Sequence, residues 1–220
     1  MMSLFANGLG LQRCVWGLRN WKPLTLVMLL VACVPHSASA LEDVPFITTP
    51  DRVTLAMLEL AGVCAGDHVI DLGSGDGRIV ITAARRFGAT GLGVEIVPDL
   101  VQRSRDAARA AGVSDRVRFE VQDLFETDLK PATVVTMYLT TEVNQRLKPV
   151  LRKLKPGTRI VSHDWDMGEG SDWPPDATLT LEVPEKAIGR EKRSRVHLWV
   201  VPRADGSRLA LPQPCRPRIP

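Results

Sequence analysis

Three acids and a run of glycines fall where a small charged ligand could be gripped. Asp71-Leu72-Gly73-Ser74-Gly75-Asp76-Gly77 joins an apolar stretch to a helical one, and its glycines let the backbone turn sharply and approach a ligand closely. Such a loop suits a nucleotide-like molecule. A dinucleotide site uses the spacing G-x-G-x-x-G, and here its third glycine position is Arg78, which disfavours an NAD-dependent oxidoreductase. Glu95 closes the next apolar stretch, 24 residues after Asp71, where a carboxylate can accept hydrogen bonds from both hydroxyls of a ribose. Asp123 follows a third apolar stretch. Singly, Asp71 also fits a helix cap, Glu95 a surface acid and Asp123 a turn opener. Together they mark three strand ends, the place where open α/β sheets bind ligands.

The elements that must position these groups are legible from periodicity. Val53, Met57 and Leu60 give an amphipathic helix over Thr49 to Leu60, with Thr49 as a possible cap and Pro50 at the first helical position. His68 to Leu72 is a short buried strand, Arg78 to Phe87 a helix, Gly91 to Ile96 a strand, and Pro98 to Ala111 a helix. Strands over Arg116 to Val121, Thr133 to Tyr138 and Thr158 to His163 follow, with a helix over Glu142 to Leu154 before the last. This alternation predicts an α/β fold, a Rossmann-like, mostly parallel seven-stranded sheet with helices on both faces. Thr178 to Val183 and Val196 to Val201 have no helix between them, so they are expected to form a C-terminal antiparallel hairpin around the charged loop Pro184 to Arg195. The folded domain is expected over 41–201. Residues 202–220 carry five prolines and no apolar period, which predicts a mobile tail.

The loop pattern D-x-G-x-G-x-G resembles motif I of the class I, seven-strand methyltransferases. The resemblance implies S-adenosylmethionine as cofactor, and Asp71 is electrostatically suited to its ammonium and sulfonium charges. It implies cofactor contacts from Asp71, Gly73, Ser74, Gly75, Gly77 and Glu95, from Asp123 toward the adenine amino group, and from Leu124 against the ring. Val44-Pro45-Phe46-Ile47-Thr48-Thr49-Pro50, Asp71 to Ile79, Asp123-Leu124-Phe125, Ala132 to Leu139 and Leu154 to His163 are similar to one subgroup. These are bacterial relatives of the mitochondrial protein-lysine methyltransferases that act on the adenine nucleotide translocase and the ATP synthase c-subunit. That likeness covers roughly residues 44 to 168 and implies transfer of a methyl group to a protein lysine. In it Thr49 and the preceding segment fold over the cofactor, and Tyr138 lines the methyl-transfer channel as the catalytic candidate.

Lysine, with a reference pKa of about 10.4, must lose its proton before it can attack, and burial beside a sulfonium lowers that value. The hydroxyl of Tyr138, the only tyrosine of the chain, can orient such an amine; a buried core aromatic is the competing role. Thr136-Met137-Tyr138-Leu139 lacks the N-P-P-Y-like signature of amino-methylases acting on adenine bases or glutamine amides. His163-Asp164-Trp165-Asp166 reads as a strand end followed by a substrate-side loop, since one histidine without a second nearby is poor evidence for a metal. No metal is expected. Lys186, Arg190, Lys192, Arg193 and Arg195 read as a solvated hairpin loop, with an acidic partner as the alternative.

The first forty residues look removable. Arg13, Arg19 and Lys22 precede an apolar run, Leu24 to Val34, and Ala38-Ser39-Ala40 offers small residues for cleavage. The run is about half the ~20 residues a membrane-spanning helix needs. Leu30-Val31-Ala32-Cys33 also resembles a lipoprotein box, which would tie the chain to a membrane. Export or envelope association is therefore expected, in tension with a cofactor made in the cytosol; a start site placed too early would make the protein cytosolic. This leader holds three of the 28 Lys and Arg and none of the 25 Asp and Glu, so the remainder is balanced at 25 against 25. That balance removes the bulk electrostatic reason to expect nucleic acid as partner. Cys64 and Cys215 lie far apart and suggest no disulfide framework, only a core thiol and a tail thiol. Besides protein-lysine methylation, a small-molecule acceptor and a noncatalytic cofactor-binding module remain open.

Overall fold

The computed structural model describes residues 47–186 and 192–215, all within one compact unit, Val44–Pro220. The leader, Val44 to Phe46 and Arg190 lie outside the described residues. The elements run α1 (Asp51–Leu60), β1 (His68–Leu72), α2 (Arg78–Thr82) continued by a π-helical turn (Ala83–Phe87), β2 (Thr90–Glu95), α3 (Pro98–Ala110), β3 (Val117–Val121), a 3-10 turn (Leu124–Glu126), β4 (Val134–Met137), α4 (Thr141–Leu151), β5 (Arg159–His163), β6 (Ala177–Glu182) and β7 (Arg193–Val200). They form a seven-stranded sheet in the order β3-β2-β1-β4-β5-β7-β6. The first five strands pair in parallel and β7 pairs antiparallel with both β5 and β6. The expected mixed sheet and terminal hairpin are therefore present. The chain reverses direction at β1, where β2 and β3 lie to one side and β4 and β5 to the other, and an open sheet presents its ligand crevice at such a reversal.

Alternation along the strands divides the core between the two faces, because successive side chains point to opposite sides. Val69, Val134, Val161 and Leu198 pack with Val53, Met57 and Leu58 of α1 on one face. Their neighbours Ile70, Val135, Ile160 and Trp199 pack with Leu147 and Leu151 of α4 on the other. Each central strand is buried on both sides, so the sheet is rigid where it must aim functional groups. Far from the strand ends that matter for chemistry, Arg159 at the start of β5 forms an ion pair with Asp67. Thr133 donates to the same carboxylate at 2.7 Å, and the Arg159 guanidinium also donates to the Ala61 carbonyl at 3.1 Å. This network ties β1, β4, β5 and the end of α1 together.

Three expectations change. Thr49 does not cap α1: Pro50 occupies the cap position without a side-chain bond, and the Thr49 hydroxyl is used elsewhere. The segment expected to be a mobile tail runs over 202–215 without helix or strand, yet it is tethered to the domain. Leu209 packs against the α1 side of the core, Arg208 pairs with Asp176 at 2.9 Å, and Pro212 and Gln213 lie over Gly62. Finally, Cys64 and Cys215 are joined as a disulfide across 151 residues, with Cα atoms 5.6 Å apart. Sequence spacing alone could not pair them because the tail returns to the end of α1 only in three dimensions.

Candidate active site

The glycine loop leaves β1 and is fastened to β2 by its own backbone. The N–H groups of Gly73 and Ser74 both donate to the Val94 carbonyl, at 3.0 and 2.9 Å, and Gly77 donates to the Ser74 carbonyl at 2.8 Å. Gly73 has φ 74° and is exposed, leaving bare backbone on the crevice side. Gly77 has a different duty. An added Cβ there would lie 2.7 Å from the Phe119 ring, so glycine lets the start of α2 approach β3. The Ser74 N–H is committed to Val94 of β2 and its C=O to Gly77, while its buried hydroxyl, which has no hydrogen-bond partner among the described residues, sits against Gly93, where an added Cβ would be 2.7 Å from it. Its small size serves packing beneath the loop.

Glu95, at the tip of β2, anchors the far side of the crevice. One carboxylate oxygen accepts from the Gly75 N–H at 3.0 Å, and the other accepts from Ile96 and Val97 at 2.8 and 3.1 Å. Asp71 is 2% exposed and accepts a 2.7 Å hydrogen bond from Thr136 on β4. Burial pushes its carboxyl up to about 7; the Thr136 bond opposes this, while the negative charges of Asp76 and Glu95 add to it. Three acids so arranged favour a cationic ligand, because positive charge relieves their mutual repulsion.

Asp123 follows β3 and receives the Phe125 N–H at 2.8 Å, which fixes the turn carrying Leu124; Leu124 packs on the α4 side of the core. Sequence reasoning missed the apolar floor beside these acids. Ile96, Val97, Val121 and Phe125 are 45, 43, 52 and 38% exposed, although large hydrophobic side chains gain by burial. Ile96, Val97 and Val121 stand at the ends of β2 and β3, where an aromatic ring can cover them, and the Phe125 ring beyond them carries the Arg146 guanidinium 3.8 Å from its centroid. This set of residues fits S-adenosylmethionine, a cationic, amphipathic nucleoside: Asp71 and Glu95 would offer carboxylates to its charges and its ribose, and the apolar residues beside Asp123 and Leu124 a surface for its base.

Beyond β4 the structure brings together residues that sequence left apart. Tyr138 is half-buried, and its ring lies 4.0 Å from that of His163 with 30° between planes. Burial, aided by the Asp164 carboxylate, raises its phenol above the ordinary value, so it stays protonated at neutral pH. Thr49 contacts His163 Nδ1 through its hydroxyl at 3.2 Å, and its carbonyl receives Arg78 Nη1 at 2.8 Å. Arg78 in turn makes a two-pronged bond to Asp76 of the glycine loop, at 2.9 and 2.6 Å. Thr49 thus joins the segment before α1 to the loop and to β5 by these contacts. Arg78 and His163 are the residues most clearly underestimated from sequence. The signals were Arg78 in the third glycine position and a histidine beside an acid at a strand end. Of the hairpin cations, Lys186 is paired with Asp164 at 2.7 Å, which gives it a bracing role. Among the described residues no group of three or more His, Cys, Asp or Glu side chains is placed to hold a metal ion.

Comparison with known proteins agrees with this geometry. A family model described as the ANTKMT methyltransferase domain matches residues 71–177. A protein-lysine N-methyltransferase of Saccharolobus islandicus is 43% identical over 151 residues, covering 68% of this chain and 88% of the relative. The human lysine N-methyltransferase named for the ATP synthase c-subunit is 31% identical over 199 residues, covering 83% of this chain and 82% of its own. Among solved structures, a protein from Salinibacter ruber described as an RNA methyltransferase, in complex with S-adenosyl-L-homocysteine, is 51% identical. It superposes with a TM-score of 0.64 over 71% of this chain and 95% of that one. With a motif I crevice built for S-adenosylmethionine and relatives of this identity and coverage, the chain belongs to the S-adenosylmethionine-dependent protein-lysine N-methyltransferase family.

Proposed function

We propose that this enzyme methylates the side-chain amine of lysine in a protein acceptor. The observation that carries the acceptor class is the mouth beyond β4, where a half-buried, protonated Tyr138 stands beside the Asp164 carboxylate and no amide-recognition signature is present. A phenol oxygen can accept a hydrogen bond from an amine. When bound, S-adenosylmethionine supplies an electrophilic methyl group, which passes to the amine as its carbon–sulfur bond breaks. Asp71, Glu95 and the Gly73 backbone hold and orient the cofactor. Tyr138 aligns the lysine nitrogen after its proton has left to water, so positioning contributes more than a strong base. The family relatives named for lysine methylation support this acceptor.

The test is incubation of the purified chain with methyl-labelled cofactor and a whole-cell extract, split into protease-treated and nuclease-treated arms. Label removed by protease, and mapped to lysine by mass spectrometry, is the expected result. Label removed only by nuclease overturns the proposal and favours RNA, the acceptor named for the Salinibacter ruber neighbour. Charge balance outside the leader argues against a phosphate-rich acceptor. The same extract tests the small-molecule alternative, since label would then resist both treatments.

The compartment is also proposed: the domain is exported, or held at the envelope by its N-terminal segment. The Cys64–Cys215 disulfide supports this, because such bonds persist in oxidising compartments. Fractionation with N-terminal sequencing of the native protein tests it, and a cytosolic protein that retains the residues before Ala40 refutes it.

A further inference from the structure

We infer that His163 is a positioning residue for methyl transfer, clamping Tyr138 and the segment around Thr49 into one rigid unit at the mouth of the crevice. The inference rests on Tyr138 lining the transfer channel, and it adds the group that holds Tyr138 there. His163 ends β5, is 1% exposed, and has both ring nitrogens engaged: Nδ1 with the Thr49 hydroxyl at 3.2 Å and Nε2 with the Ser194 hydroxyl on β7 at 2.9 Å. A neutral imidazole has one donor and one acceptor nitrogen, and two hydroxyls satisfy either tautomer. Burial keeps the ring neutral by lowering its pKa to about 4, with Asp164 opposing that shift and Lys186 adding to it. The face of the ring receives Tyr138 at 4.0 Å. Four parts of the chain therefore meet on one side chain: the segment before α1, the end of β4, the end of β5 and β7.

The surroundings hold that side chain in place. Asp164, the next residue, has φ 59°, the one positive φ outside glycine among the described residues. Such backbone persists only where surrounding contacts enforce it. The Asp164 N–H donates to the Arg195 carbonyl at 2.7 Å, its carboxylate accepts from the Arg195 N–H at 2.9 Å, and Lys186 pairs with it at 2.7 Å. A histidine so braced and buried is poorly suited to exchanging protons with an acceptor. It is well suited to fixing a ring and a hydroxyl. Thr49 also holds Arg78, and Arg78 holds Asp76 of the glycine loop, so the clamp ties the acceptor side of the crevice to the cofactor side.

The test compares His163→Ala, Thr49→Val, Ser194→Ala and Tyr138→Phe in the full chain. Three readouts apply: steady-state methylation of a lysine peptide, calorimetric affinity for S-adenosylmethionine, and the ring-carbon NMR signal of 13C-labelled tyrosine. The last reports Tyr138 alone because the chain has one tyrosine. Expected for His163→Ala is a fall in kcat of about tenfold or more, with peptide KM little changed and the tyrosine signal shifted or broadened. Thr49→Val and Ser194→Ala, each losing one hydrogen bond, are expected to lower kcat by about fivefold while melting near the wild type. His163→Ala combined with Tyr138→Phe should be little worse than the poorer of these two single variants. A Tyr138→Phe effect with none from the other three, and an unmoved tyrosine signal, overturns the inference alone. No effect of Tyr138→Phe overturns the role of Tyr138 and the inference with it.

Discussion

Asp71 should couple cofactor binding to proton release. Its carboxyl is fully buried and titrates at about 7, roughly three units above the value of an exposed aspartate. At neutral pH without cofactor, about half of the molecules carry a proton there. S-adenosylmethionine brings net positive charge and favours the ionised form, so binding expels up to about half a proton at pH 7. Affinity should rise by up to about tenfold per pH unit from roughly pH 5 to 7 and level off by pH 8, once the carboxyl is ionised without help. Stability of the free enzyme should move oppositely. Because the folded pKa is raised, the cost of the buried charge is absent below about pH 4, grows as pH climbs toward 7, and then levels off at about 4 kcal/mol, at 1.36 kcal/mol per unit. Asp71→Asn, which keeps an oxygen for Thr136, removes both dependences and weakens binding. Calorimetric titration from pH 5.5 to 8 in two buffers of different ionisation enthalpy measures affinity and proton release together. A wild-type affinity that is flat over this range, with no proton released, refutes the reasoning.

Glu95→Gln should weaken S-adenosylmethionine binding by about 1.5–3 kcal/mol, and Glu95→Ala by more, because it also strips the Gly75 N–H of its partner; equal losses for the two variants, by calorimetry, would show that the loop does not depend on Glu95. Replacing Asp67 with Ala leaves the largely buried Arg159 charge without its carboxylate and should destabilise the fold by about 3 kcal/mol in denaturant unfolding, with cofactor affinity little changed because this network sits at the opposite ends of the strands. Cys215→Ser, or reduction of the wild type, frees a closure of 151 residues; chain entropy sets an upper bound of about 5 kcal/mol on the loss, read as a lower Tm, and identical melting with and without reductant would show that the bond contributes nothing.

The strands were legible because burial on both faces leaves apolar runs of a length and composition that local physics already favours. His68 to Leu72 could be bounded to the residue, and the neighbouring elements to within a few. The glycine loop was equally legible, since a backbone that must turn and stay bare restricts the choice of residue at Gly73. Less accessible was what each loop residue does. Ser74 and Gly77 belong to the same motif as Gly73, yet they face Gly93 and Phe119, and only the packing of β2 and β3 reveals this.

Sequence by itself determined the parallel sheet, the strand ends that bear Asp71, Glu95 and Asp123, and thereby the cofactor. These depend on periodicity and on short-range spacing, both written in the order of residues. Tertiary structure alone decided the rest. The insertion of β7 between β5 and β6 carries Ser194 to His163, and the path of the chain before α1 carries Thr49 to the same ring. The return of the tail carries Cys215 to Cys64. Each of these is a contact between residues more than thirty positions apart, formed because the sheet buries its faces and brings chain segments together whose separation in sequence holds no record of the meeting.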